Sequence, residues 1–130
     1  MSQVAEAIRE VLVEGQLPCA VAFQVAERLG VEPLQVGQAA DALEVRLSRC
    51  QLGLFGYGPK AEGKHRRVNP MHDVLPELAL AIRTSVGPDG RLSCAAAWRI
   101  AAELQVPKQT VSDAAEGLGV RITLCQLGAF

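Results

Sequence analysis

The chain repeats itself over a long stretch. Residues 50–55 read Cys-Gln-Leu-Gly-Leu-Phe, and residues 125–130 read Cys-Gln-Leu-Gly-Ala-Phe. Shifted by 75 positions, residues 16–55 fall on residues 91–130 without a gap, and 18 of those 40 positions are identical. The matches include Leu17/Leu92, Cys19/Cys94, Ala26/Ala101, Leu29/Leu104, Val31/Val106, Val36/Val111 and Leu43/Leu118. Upstream, Ala7-Ile8-Arg9 answers Ala81-Ile82-Arg83 at an offset of 74, so one residue has been added within Gly87-Pro88-Asp89-Gly90. A fixed period constrains architecture before any other signal. Two copies of so long a period are too few for a solenoid, so the expectation is two similar small domains. Their expected bounds are residues 1–56 and 74–130, with residues 57–73 as a connector. A unit of roughly 55 residues buries little of its surface and is marginal alone. The copies are therefore expected to share a core or to pair.

Composition narrows the setting. Aromatic residues make up only 4% of the chain, and alanine is frequent, which suits closely packed helices. The opening MSQVAEAIRE is charged and lacks the apolar stretch of a secretion signal. No apolar run approaches the ~20 residues of a membrane span. A cytoplasmic protein without membrane contact is expected. The four cysteines, Cys19, Cys50, Cys94 and Cys125, occupy matching places in the two copies, and none pairs with another at CxxC spacing. The plain reading is four small buried side chains. The alternative is a metal or redox sensor in which the two cysteines of a copy meet in space. No cofactor is expected.

Charge is unevenly spread. Residues 1–56 carry 4 Arg against 7 acids, and residues 73–130 carry 5 basic residues against 6 acids. Between them Lys60, Lys64, Arg66 and Arg67 face only Glu62, with His65 and His72 beside them. The connector is the positive part of a chain whose net charge is −1.

Apolar periodicity gives each copy the same plan. In the second, Leu75, Leu78, Ile82 and Val86 have helical spacing over residues 76–86. Gly87-Pro88-Asp89-Gly90 ends that helix with turn chemistry. Ser93 is a favourable N-cap for a helix over 94–104, which would bury Cys94, Ala97, Trp98, Ala101 and Leu104. A third helix over 108–118 would bury Val111, Ala114, Ala115 and Leu118, and Gly119 would stop it. Residues 120–127 read as a strand. The first copy predicts helices over 3–13, 19–29 and 33–43, then a strand over 45–52. Phe23 and Trp98 hold the same helix position and are expected to anchor the core.

The second and third helices of each copy carry a recognisable pattern. It runs Ile100-Ala101-Ala102-Glu103-Leu104-Gln105-Val106-Pro107-Lys108-Gln109-Thr110-Val111-Ser112, and again through Val25-Ala26-Glu27-Arg28-Leu29-Gly30-Val31-Glu32-Pro33-Leu34-Gln35-Val36-Gly37. Ala26 and Ala101 must be small where two helices cross closely, Val31 and Val106 plug the corner, and Val36 and Val111 anchor the following helix. Gly30 suits a left-handed corner. Gln105 at the same place would cost up to ~1–2 kcal/mol. With a preceding helix, a short strand and a trailing strand, each copy resembles the winged helix-turn-helix superfamily, and Gln109–Ser112 looks like the opening of a bacterial repressor's recognition helix. The fold expected from this likeness is mainly α with small β, in two tandem winged-helix-like helix-turn-helix units related by internal duplication.

The resemblance implies a transcription regulator that binds double-stranded DNA through both heads. A recognition helix enters the major groove, and phosphate contacts supply most of the affinity. The candidate contacts are Gln35 and Gln38 on the first third helix, Lys108, Gln109, Thr110 and Ser112 on the second, Lys64, Arg66 and Arg67 in the connector, and Arg121 after the last helix. Arg46, which matches Arg121, either holds phosphate or pairs with an acid such as Glu44. Both third helices carry acids, Asp41 in one and Asp113 and Glu116 in the other, so the connector would have to supply the charge. Returning along residues 64–68, it would form a basic wing. The two CQLG segments are expected to pair as strands, within the chain or across a homodimer, because an unpaired apolar edge invites association. Winged helices also serve as protein-binding modules, so an adaptor without DNA binding is the alternative.

Enzyme chemistry finds little footing. The glycines of residues 53–63 lack the GK[ST] ending of a phosphate loop. His65 and His72 have no acid and nucleophile at a recognised spacing. Glu6, Glu10 and Glu14 line one helix face and read as solvated.

Overall fold

A computed structural model describes the chain except Met1, Ser2, Pro59 and Gly63 and the side chain of Lys60. The sequence Gly56-Tyr57-Gly58-Pro59 suits a turn leading into the return along residues 64–68, and its last residue lies outside the described residues. The protein is mainly helical, with two small sheets of two short strands each. In chain order the elements are α1 (Gln3–Glu10), β1 (Leu17–Pro18), α2 (Cys19–Leu29), α3 (Pro33–Ala42), β2 (Leu47–Ser48), α4 (Pro76–Ser85), β3 (Leu92–Ser93), α5 (Cys94–Leu104), α6 (Lys108–Gly117) and β4 (Ile122–Thr123), with a 3-10 turn at Lys60–Glu62.

The residues cluster into two compact units whose make-up does not follow chain order. Unit 1 comprises residues 1–51, 55–66 and 126–129; unit 2 comprises residues 52–54, 67–125 and 130.

In unit 1, α1, α2 and α3 pack on one another. Their apolar faces meet at Ile8, Ala22, Val25, Ala26, Val36 and Ala40, all buried. Gly30 ends α2 in the left-handed conformation, φ 66°. Its N–H donates to the Glu27 carbonyl and that of Val31 to the Ala26 carbonyl, the paired bonds that close a helix C-terminus. Ala26 is 3% exposed at this crossing. At the start of α3, the Glu32 N–H donates to Gln35 Oε1 at 2.9 Å, which satisfies one of the end groups a helix leaves open. β1 and β2 run parallel, Leu17 opposite Leu47.

Unit 2 is built likewise from α4, α5 and α6 around Leu78, Ile82, Ala97, Ile100, Val111 and Ala114. Ser93 caps α5, its Oγ accepting from the Ala96 N–H at 3.1 Å. Gln105 holds the corner at φ 56°, left-handed without the freedom of glycine. β3 and β4 are parallel, Leu92 opposite Ile122.

The CQLG segments are not strands, and this corrects the pairing expected of them. Extended backbone stops two residues into β2 and β4 because Arg49 and Leu124 turn left-handed, φ 47° and 53°. Each hexapeptide then closes on itself. The Cys50 N–H donates to the Phe55 carbonyl at 3.2 Å, and the Cys125 N–H to the Phe130 carbonyl at 3.0 Å. Around the first turn, Tyr57 Oη also donates to the Cys50 carbonyl at 2.6 Å. Gly53 and Gly128, φ 80° and 81°, let the backbone reverse just after a leucine. The result is a hook with its leucine at the tip. Leu52 is fully buried and Leu127 is 2% exposed.

Within unit 1 the tip of the second hook lies along α3. A Cβ at Gly37 would overlap the Leu127 carbonyl oxygen, and one at Gly128 would come within 2.9 Å of Leu34 Cδ1. Glycine inside a helix costs about 1 kcal/mol relative to alanine, so Gly37 exchanges helix propensity for close backbone approach. Within unit 2 the first hook tip meets α6, with Gly53 beside the Gln109 side chain and its carbonyl accepting from the Arg67 N–H at 2.7 Å.

No wing forms on residues 64–68 among the described residues. The stretch has no apolar alternation to bury. Its backbone makes single bonds, the His65 carbonyl accepting from the Tyr57 N–H and the Arg67 N–H donating to Gly53, instead of a ladder.

Gly37→Ala tests the hook seat. On propensity alone it would stabilise the helix. The expected result is a loss of about 1–3 kcal/mol, the usual cost of overpacking, measured by urea unfolding.

Candidate functional site

The sequence points to the solvent face of each third helix together with the connector. The structure divides those residues into three groups.

The first group stands exposed. Gln35, Gln38, Lys64, Arg66, Arg67 and Arg121 all reach solvent. Gln35 already has a task in capping α3. Lys64 Nζ lies 3.5 Å from Glu62 Oε1, both side chains more than half exposed. Such a surface pair contributes little and leaves the ammonium accessible to another anion.

The second group is at the start of α6. Lys108, Gln109 and Thr110 are half-buried. The Lys108 ammonium sits 4.7 Å from the centroid of the Trp98 ring, a cation–π contact that fixes it at the N-terminal end of the helix. Gln109 Nε2 donates to the Arg67 carbonyl at 3.0 Å. That bond brings the last basic residue of the connector to the first turn of α6. Lys108 and the N–H groups of the first turn make this end of α6 positive.

The third group is Ser112 alone. The expectation of an outward-facing Ser112 is corrected: it is 2% exposed, and its Oγ makes no hydrogen bond among the described residues. The helix is rotated so that positions 111, 112, 114 and 115 all point inward. At the matching place α3 has Gly37, which hides its own inward direction from a sequence reading.

Sequence reasoning missed Asn69 and Met71. The Asn69 N–H donates to Asp113 Oδ1 at 3.0 Å, and the Met71 N–H donates to the Asp113 carbonyl at 3.0 Å. Residues 67–71 therefore run along α6 within unit 2. Backbone donors leave no mark in side-chain composition; the only trace is Gly117, a helical glycine whose Cβ would overlap the Met71 carbonyl oxygen.

Cys19, Cys50 and Cys94 are buried and Cys125 is half-buried. Gln51 Nε2 lies 3.7 Å from Cys19 Sγ, a weak donor contact. Among the described residues no three His, Cys, Asp or Glu side chains gather as a metal site, and no helix is long and apolar enough to cross a membrane. Comparison with protein-family models, curated proteins and solved structures gave no match to the chain.

Ser112→Ala removes a buried hydroxyl that makes no hydrogen bond. Stability should stay level or rise by up to about 1 kcal/mol in thermal unfolding, because no partner is orphaned. A loss of stability would mean that the hydroxyl has a partner.

Proposed function

We propose that the chain is a small DNA-binding regulator built of two helix-turn-helix units that arose by internal duplication, each trailing into a hook instead of a wing. The observation that carries this reading is the positive end of α6. The α5–α6 corner, turned by a left-handed Gln105 over a buried Ala101, presents a helix whose first turn carries Lys108, held against the Trp98 ring, with Gln109 and Thr110 beside it. Lysine there would grip phosphate, and Gln109 and Thr110 have the chemistry to meet base edges. In unit 1, exposed Lys64 and Arg66 would offer phosphate contacts of their own. In unit 1, Gln35 and Gln38 offer a second, uncharged reading surface, and Arg46 and Arg121 would give matched flanking contacts.

A second reading is favoured by two observations. Asp113 and Glu116 give α6 more acid than base along its length, and acids near a phosphate wall cost affinity. On α4, Leu80 is 64% exposed, and Leu75 at its cap is 70% exposed. Apolar side chains held out in this way suit a protein partner. The adaptor reading therefore stands as the alternative.

Charge reversal separates the two. Lys108→Glu combined with Arg66→Glu should weaken binding to a mixed-sequence duplex. It should also reduce the slope of log affinity against log salt by about one for each phosphate the protein no longer neutralises. Wild-type retention on DNA that does not respond to salt would contradict the DNA reading and favour the adaptor.

A further inference from the structure

In unit 2 the segment Arg67–Met71 is fitted along one line of α6. Gln109, Asp113 and Gly117 stand four residues apart and so share a single helix stripe. The segment engages all three. The Arg67 carbonyl takes the Gln109 amide, the Asn69 and Met71 N–H groups go to Asp113, and the Met71 carbonyl rests where Gly117 has no side chain. Two turns of the helix are covered by backbone, not by a packed core. Arg67, Asn69 and Pro70 are exposed, and Val68 and Met71 are only half-buried. A segment with so little apolar burial and water-accessible hydrogen bonds opens at low cost. By contrast, Leu52 is wholly buried.

The covered stripe is the one a groove-reading helix would need. We propose that Arg67–Met71 is a strap that masks α6, and that duplex DNA and the strap compete for the Gln109–Asp113–Gly117 stripe. This rests on the DNA-binding reading above. When the strap is seated, Lys108 and the exposed basic residues are available but Gln109 is held, which allows weak contact with phosphate. Release uncovers Gln109 and the middle of the helix, and it frees Arg67 to follow the DNA backbone. Affinity is then set by how often the strap is open, since a binding-competent state that is seldom populated lowers apparent affinity by that fraction.

Two variants open the strap: Asn69→Pro lies off the contested stripe, and Gly117→Ala adds only a methyl at its far end. Gly117→Ala places a methyl against the Met71 carbonyl. Asn69→Pro deletes the N–H that Asp113 accepts and alters no core atom or charge. Amide exchange at Met71 reports the strap, and retention of a mixed-sequence duplex at fixed low salt reports binding. The expected result is faster Met71 exchange in both variants, with at least a tenfold gain in duplex affinity. Faster exchange with unchanged or reduced affinity, while the wild type still binds, would overturn the strap and leave the DNA reading in place. Unchanged Met71 exchange in both variants would also overturn it. Failure of wild type and opened variants alike to hold any duplex would sink the DNA reading and the strap with it.

Discussion

Each unit is completed by one buried leucine at the tip of a self-closed turn. Three short helices bury too little apolar surface to be secure. Leu127 in unit 1 and Leu52 in unit 2 add a large apolar side chain to each core. A fully buried leucine is stabilising by about 1.5–3 kcal/mol relative to exposure, a large fraction of what holds a small domain. The chemistry of Cys-Gln-Leu-Gly-x-Phe follows from this. The cysteine N–H and phenylalanine carbonyl close the base, leucine fills the core, and glycine turns the chain back at positive φ.

Where matched positions differ, the two units accommodate different neighbours. Gly37 in α3 answers Ser112 in α6, and Ala42 answers Gly117. In unit 1 the glycine sits under the carbonyl of Leu127; in unit 2 it sits under the carbonyl of Met71. One helix gives up propensity to seat a hook, the other to seat a strap. The hook is held by apolar burial and the strap by water-exposed polar bonds, so the first belongs to stability and the second to the control of access to α6.

The helices are legible in the sequence because their periodicity is local. Residues 19–29 and 94–104 read as helices and are helical, the left-handed corners fall at Gly30 and Gln105, and Ser93 caps α5. The strands are overread. Val120–Leu127 has β-forming composition, but two left-handed residues without glycine, Arg49 and Leu124, break the extended chain, and no propensity argument marks them. The hook needs tertiary knowledge, since its leucine reads equally well as one position of a strand. Ser112 is misplaced by a sequence reading because a serine in an alanine-rich helix gives no sign of which way it points. The strap is invisible because its donors are backbone N–H groups.

The most direct measurement is residue-resolved amide exchange on Leu127→Ala and Leu52→Ala. Truncating a buried leucine costs about 2–5 kcal/mol, and the loss should appear in the unit that holds the side chain. Leu127→Ala should release protection in α3 and leave α6 as it was, although residue 127 follows α6 closely in the chain; Leu52→Ala should do the reverse. Loss of protection in the helix that directly precedes each hook, with the other unaffected, would contradict the assignment of the hooks to their units.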